Sequence, residues 1–369
     1  MRWSEDVHTT QLGHETMMEA ALEGVEVVEY GDGIGSAFCA NLLSGFGANV
    51  RSFRWREPPH SSRAGDIRSQ ARALYLDSGK TVTPDWPRDE LPSAAKRADV
   101  VIYGNSAGHA DPERPLADYE SCRSVNSSLI YVALTTYGVR GPLADWAGVD
   151  LNAQALSGWP SIVGFPDDAP LAMSYDIGPL QHGLAAAGAT LAALVDRRAH
   201  GRGEFADIAE SDVIAASIRM YSLVYRFLGI DLKRSGYRAP GSSGRYPHAM
   251  FPCKDGFVIM ICRSETDWLR FISMMGNPSW ADEERYKDFF AMGVEYPEEV
   301  DALIKPWLLQ HSKEELAEMA ATHRVPLAPV RTIPEVLQDE QLAYRHTFER
   351  LASVLGDVVV PTRVPDGRG

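Results

Sequence analysis

Cysteine is scarce in this chain. Four occur in 369 residues, at positions 39, 122, 253 and 262, with no CxxC pair. Such scatter builds neither a disulfide framework nor a zinc site, and it suits a reducing compartment. No HxxxH pair occurs either, so no bound metal is expected. The stretch Gly241-Ser242-Ser243-Gly244 reads as a flexible loop, and a serine hydrolase is not expected. Long apolar runs are missing as well. The longest, around Leu184 to Val195, is too short to span a bilayer. The opening MRWSEDVHTTQLGHETMMEA has no apolar stretch of the kind a signal peptide needs. The expectation is a cytoplasmic protein without a membrane partner. Basic excess is lacking too: the formal charge is −14, which argues against nucleic acid as a partner. A local basic site for a phosphorylated ligand is still compatible with that balance.

What the chain does contain is an alternation of strand and helix patterns. GVEVVEY (24–30) reads as a strand, GDGIGS as a Gly-rich turn, AFCANLLSGFG as a helix and ANVRSFRW as a second strand. This βαβ unit implies parallel strands with a right-handed crossover. RDELPSAAKR reads as a helix, ADVVIYG and SSLIYVALTTYG as strands, and DLNAQALSG as a helix. An Ala-rich helix follows Asp176, FADIA is a short strand after the tight link HGRGE, and SDVIAASIRMYSLVYRFLG is one long helix. Composition shifts near residue 230, where KRSGYRAPGSSGRYPHAM is rich in Gly, Ser, Pro and Arg. Beyond it MFPCKDGFVIMIC gives two strands around a Lys-Asp-Gly turn, and helices then dominate. The expected fold is α/β: an N-terminal arm (1–20), a large Rossmann-like domain with a parallel sheet (21–229), a smaller α+β domain (230–325) and a segment returning to the large domain (326–369).

Four places invite chemistry. In the first turn Gly31 and Gly33 match a dinucleotide fingerprint, but Ser36 stands at the third position. Arg54 and Arg56 close the second strand, where arginines suit an extra phosphate on a ribose, as in coenzyme A or a phosphorylated nicotinamide. Plain surface arginines are the competing reading. The loop Gly138-Val139-Arg140-Gly141-Pro142 follows a strand, and ligands of open α/β sheets bind at strand carboxyl ends; Tyr137 and Arg140 therefore face the expected cleft. Finally, LAMSYDIGPLQHGL places a lone acid, Asp176, just ahead of a helix. Such an acid is either a cap or a reactive carboxylate.

The order of segments resembles the class III CoA-transferases, the CaiB/BaiF type that includes formyl-CoA and carnitine CoA-transferases. The matching pieces are LEGVEVVEY…LLSGFGANV, YLDSGKTV, KRADVVIYGN, SSLIYVALTTYGVRGPLADWAGVDLNAQALSG, LAALVDRRAHGRGEFADIAESD, PHAMFPCKDGFVIMIC and VPLAPVRTIPEVLQD, together roughly residues 22 to 345. The resemblance implies an interlocked dimer, acyl-CoA and carboxylic acid substrates, and no tightly bound cofactor, coenzyme A entering as a thioester substrate. It implies that Asp176 is the catalytic carboxylate. It also implies coenzyme A contacts at Arg54, Arg56, Lys80, Asn105, Tyr137 and Arg140, and a substrate pocket that includes Ile34 and Gln154.

The chain departs from the family's pattern in places. Ile34 stands where formyl-CoA transferase has an active-site glutamine. Val149 replaces the histidine of the related α-methylacyl-CoA racemases, which makes a racemase the weaker reading. Twenty-five positions separate Asp176 from Gly201, about three more than the family's spacing. The expectation is therefore an insertion bulging at GPLQH, and Pro179 takes the catalytic position if no gap is allowed. An alternative follows from these departures: a non-catalytic coenzyme A-binding subunit that pairs with a homologous catalytic chain.

Overall fold

The computed structural model describes residues 21–54, 67–84, 86–105, 113–239, 245–353 and 356–362. They form two compact units. Residues up to Ala153, Tyr175–Ile214 and those from Glu340 onward make one; Gln154–Ser174 with Ala215–Asp339 make the other.

The first unit is built on β1 (Glu26–Gly31), α1 (Ile34–Gly45), β2 (Asn49–Phe53), α2 (Ile67–Leu76), β3 (Thr81–Thr83), α3 (Leu91–Ala95), β4 (Val100–Gly104), α4 (Glu113–Val125), β5 (Ile130–Thr135), α6 (Ile177–His200) and β6 (Phe205–Ala209), with the first residues of α5 (Asp150–Ser157) and α7 (Glu210–Ser217). Six of its described strands pair in parallel in the order β3-β2-β1-β4-β5-β6. This is the doubly wound order, with its switch point between β1 and β4. Strands at the centre of such a sheet are covered on both faces, so they read as continuous apolar runs. Alternate residues go to opposite sides. Val27, Val100, Ile102, Ile130 and Val132 pack with Cys39, Ala40 and Leu43 of α1 and Ala186 and Ala187 of α6. Val28, Tyr30, Val101, Tyr103 and Tyr131 pack on the other face with Leu91 and Cys122.

Glycine sets how closely the layers meet. Gly31 (φ +98°) pairs in register with Gly104 across the switch point. A Cβ on Gly31 would lie 2.2 Å from the Gly104 carbonyl oxygen. On the helices, a Cβ on Gly183 would come within 2.4 Å of the Gly35 carbonyl oxygen, so α1 and α6 touch backbone to backbone.

α6 runs unbroken over 24 residues from Ile177 to His200. The expected bulge at GPLQH is absent, because Pro179 sits in the first turn, where a missing N–H costs no hydrogen bond. Asp176 immediately precedes the helix. The long helix expected over 211–229 is two helices, α7 and Arg219–Leu228, parted at Ile218. There the bonding tightens to i→i+3 steps, Ala215 O to Ile218 N and Ile218 O to Tyr221 N.

In the second unit β7 (His248–Cys253), β8 (Gly256–Ile261) and β9 (Leu327–Pro329) form an antiparallel sheet. Trp268, Phe271, Ile304, Leu308 and Leu316 from its helices pack on Phe251, Val258 and Met260. β9 corrects the expectation that 326–339 returns to the large domain: its backbone completes this sheet, and the return begins at Glu340. Likewise, the expected boundary at 229/230 falls inside the second unit. In the segment from Glu340 onward, part of the first unit, β10 (Phe348–Ser353) and β11 (Gly356–Pro361) pair antiparallel. No described helix is long and apolar enough to cross a membrane.

Candidate active site

A cavity of about 210 Å³ opens at the carboxyl ends of β1, β4 and β5 in the first unit. That volume suits a short acyl group rather than a whole coenzyme. Gly33, Ile34, Gly35 and Ser36 line it from the β1–α1 turn and the start of α1. Gly104, Asn105, Leu134, Thr135 and Thr136 line it from the strand ends, and Val149, Asp150, Pro179, His182 and Glu210 complete it. α1 starts directly at the turn, so the free N–H groups of its first turn lie beside the cavity.

His182 is buried, and its Nε2–H donates to the Ile208 carbonyl oxygen at 2.8 Å. A carbonyl only accepts, so Nε2 carries the proton and Nδ1 is the acceptor. Burial lowers the imidazole pKa to about 4, only partly offset by that bond, so the ring is neutral at pH 7. Glu210 is 6 % exposed. Burial, and then a hydrogen bond to and the charge of Asp150, push its carboxyl up to about 8. No donor among the described residues reaches Glu210 Oε1. Its neighbour is the other acid: a Cβ on Gly178 would lie 2.3 Å from Asp150 Oδ1 and 3.1 Å from Glu210 Oε1. Glu210 therefore keeps its proton at neutral pH.

Asp176 has φ +59° and ψ 0°, the left-handed region, and its side chain makes no cap bond. Asp tolerates that conformation better than most residues. Its carboxylate turns instead to α2, where Arg72 Nε and Nη2 donate to Oδ2 and Oδ1 at 2.8 and 3.1 Å. The capping reading is thereby removed for the side chain. Asp176 does not line the cavity, although Gly178, Pro179 and His182 on the following turns of α6 border or face it.

Ile34 and Asn105 line the cavity, and the Asn105 N–H donates to the Leu134 carbonyl oxygen at 3.1 Å. The Tyr137 ring packs on Gly148, where a Cβ would come within 2.6 Å of Cε2. Arg140 is exposed, on a loop fixed by the Val139 N–H donating to both Asp207 oxygens at 3.1 Å. Gln154 is buried in the second unit, its Oε1 accepting from the Met173 N–H at 2.7 Å.

Lys80 and Arg54, both expected as coenzyme A contacts, are engaged with acids of the chain itself. Lys80 Nζ, fully buried, is held by Glu29 Oε2 and the Ala37 carbonyl oxygen, each at 2.8 Å. Arg54 pairs with Glu29 at 3.3 Å and with Asp77. Both cations serve a buried carboxylate. Arg56 lies outside the described residues. One motif runs against expectation: Gly104-Asn105-Ser106-Ala107-Gly108, at the end of β4, has the G-x-S-x-G spacing of a serine-hydrolase elbow. Its serine also lies outside the described residues.

Arg72, His182 and the Asp150–Glu210 pair were not singled out in the sequence. Arg72 sits on α2, a helix the sequence reading did not recognise. Glu210 carried a usable signal, an acid at the carboxyl end of a strand in an open sheet.

Comparison with known proteins agrees with this architecture. The model of CoA-transferase family III matches residues 88–368. A succinate–glutarate CoA-transferase of Agrobacterium fabrum is 30% identical over 359 residues, covering 93% of this chain and 88% of that protein. A succinyl-CoA–D-citramalate CoA-transferase of Chloroflexus aurantiacus is 28% identical, covering 93% and 87%. Among solved structures, a CaiB/BaiF family protein of Brucella suis superposes with a TM-score of 0.77 at 25% identity, covering 89% of this chain and 88% of its own. With six parallel strands in doubly wound order, and relatives matched over nearly their full length, the chain belongs to family III of the CoA-transferases.

Proposed function

We propose that the chain moves coenzyme A between an acyl-CoA and a free carboxylic acid through covalent intermediates on Asp176. Transfer between acyl-CoA and acid is the chemistry of the family; the covalent route and the substrates are this proposal. The observation that carries it is the setting of Asp176, at the N-terminus of α6 with a strained backbone and a carboxylate facing away from its own helix. Backbone strain at an element's end is a mark of functional positions.

The steps balance without metal or external proton. A carboxylate oxygen of Asp176 adds to the thioester carbonyl, the C–S bond breaks, and coenzyme A leaves as thiolate, giving a mixed anhydride. The thiolate then attacks the Asp176 carbonyl, releasing the donor acid as carboxylate and leaving an aspartyl-CoA thioester. The acceptor carboxylate attacks that thioester, and the freed thiolate takes up its acyl group, which regenerates Asp176. Each tetrahedral oxyanion needs donors, and the open N–H groups at the start of α1 are the candidates nearest the cavity.

Short dicarboxylic acids are the proposed substrate class, as in the names of the two relatives above; the small cavity is compatible with them. Incubation with a panel of acyl-CoAs and free acids, read by mass spectrometry for new thioesters, tests the reading. Asp176→Asn should abolish every product, and retained transfer would overturn the role of Asp176. A homodimer is the proposed assembly. The second reading, a subunit of a mixed oligomer, draws on a Chloroflexus aurantiacus relative, 26% identical, that is named as the alpha subunit of a succinyl-CoA–L-malate CoA-transferase. The native mass of the active species decides between them.

A further inference from the structure

The Arg72–Asp176 contact is a carboxylate site occupied by the chain's own carboxylate. Nε and Nη2 of Arg72 grip the two oxygens of Asp176 side by side, the fork geometry that a guanidinium offers to any carboxylate. The pair joins residues 104 positions apart, and neither side chain is sealed off: Arg72 is 37% and Asp176 28% exposed. Among the described residues Asp176 is the one carboxylate that Arg72 holds.

This arrangement has a consequence for the reaction, and it rests on the nucleophilic role of Asp176 proposed above. When Asp176 forms an anhydride or a thioester it becomes a neutral acyl group, and its charge leaves with coenzyme A thiolate or with the donor acid. Among the described residues Arg72 then faces no anion of its own chain. In the aspartyl-CoA state, the species that must depart and the one that must enter are both free carboxylates. We infer that Arg72 is a substrate-binding residue: it holds Asp176 in the resting enzyme and, once Asp176 is acylated, holds the exchanging carboxylate next to the aspartyl thioester.

No bond to Arg72 forms or breaks in this account. The guanidinium exchanges one bidentate carboxylate partner for another, so the charge of the pair is the same before and after. The same fork that lowers the reactivity of Asp176 at rest presents the incoming oxygen within reach of the carbonyl it must attack. The held group is the reacting carboxylate, so monocarboxylic and dicarboxylic acceptors depend on it alike.

The test separates the two halves of the reaction in the full-length protein, with Arg72→Gln and Arg72→Lys as variants. Succinyl-CoA is added alone and the aspartyl-CoA adduct is followed by quenched-flow mass spectrometry; glutarate or a monocarboxylate is then added to discharge it. Arg72→Gln should form the adduct at the wild-type rate or faster, discharge it at least about tenfold more slowly with either acid, and show a raised KM for acid with little change in the KM for succinyl-CoA. Arg72→Lys, which keeps the charge but loses the fork, should fall between. Slow adduct formation with normal discharge would mean that Arg72 only positions Asp176, and would overturn the inference. So would a loss confined to dicarboxylates, which would place a distal carboxylate on Arg72. Absence of any adduct in the wild-type enzyme would instead bring down the role of Asp176 and this inference with it.

Discussion

Lys80 Nζ and Glu29 Oε2, the latter on the central strand β1, lie 2.8 Å apart, with both side chains essentially sealed from water. Burial alone would push the Glu29 carboxyl up, but Lys80 and then Arg54 outweigh it and the carboxyl is held below its usual range. Removing one partner of such a pair strands the other charge, which costs more than the pair contributes. Lys80→Met should therefore destabilise the protein by about 3–5 kcal/mol in urea unfolding. The double variant E29Q/K80M should recover a large part of that loss. Equal destabilisation by the single and double variants would contradict a charge-driven role.

Glu210 and His182 make stability depend on pH in opposite senses. Glu210 keeps its proton up to about pH 8 in the folded chain, whereas the unfolded chain loses it near 4.5. Between those values the folded state binds more protons, so its contribution is complete at low pH and declines as pH rises. His182, with a folded pKa of about 4 against 6.5, acts the other way: its contribution is complete above 6.5 and declines as pH falls. The two slopes oppose each other up to about pH 6.5, and above that only Glu210 acts. Unfolding free energy should drop between pH 6.5 and 8 by roughly 2 kcal/mol, and Glu210→Gln should flatten that limb. An unchanged slope in Glu210→Gln would exclude Glu210 as its source.

The switch point tolerates no side chain at Gly31. Alanine there would place its Cβ 2.2 Å from the Gly104 carbonyl oxygen, at φ +98°. The left-handed backbone and the overlap together predict a loss of roughly 2–4 kcal/mol, read as a lowered Tm. Gly141→Ala, at φ +105° with open space around it, should cost only the backbone part.

Asp176→Asn should fold, because asparagine accepts the left-handed conformation as aspartate does. Its unfolding free energy should stay within about 1 kcal/mol of wild type, the worth of an exposed ion pair. Its transfer activity should fall by about three orders of magnitude or more. Calorimetry beside a thioester assay distinguishes this from loss through misfolding.

The strands of the large domain were legible because central parallel strands are uniformly apolar: ADVVIYG and SSLIYVALTTYG needed no partner to be recognised. The hairpin around Lys254-Asp255 was legible through its turn. Helices α2 and α4 were not recognised, since arginines and other polar residues are scattered through IRSQARALYL and ERPLADYESCRSV. Helix α6 was recognised, but its start was misjudged, because Pro179 resembled an interruption and is a first-turn residue. At the candidate site, side chains at strand ends were legible and pairings were not. Nothing in the order of residues says that Lys80 turns inward to Glu29, or that Arg72 reaches Asp176 across 104 positions. Those contacts follow from how the strands and helices are stacked.

The central claim is that Asp176 itself carries the acyl and coenzyme A groups. Its most direct measurement is peptide mass spectrometry of the enzyme quenched during turnover with succinyl-CoA, with borohydride or hydroxylamine to trap the activated carboxyl. The account predicts a trapped modification on the peptide containing Asp176, absent without thioester and absent in Asp176→Asn. An active enzyme whose only trapped modification sits on another residue, or that turns over without any, would contradict it.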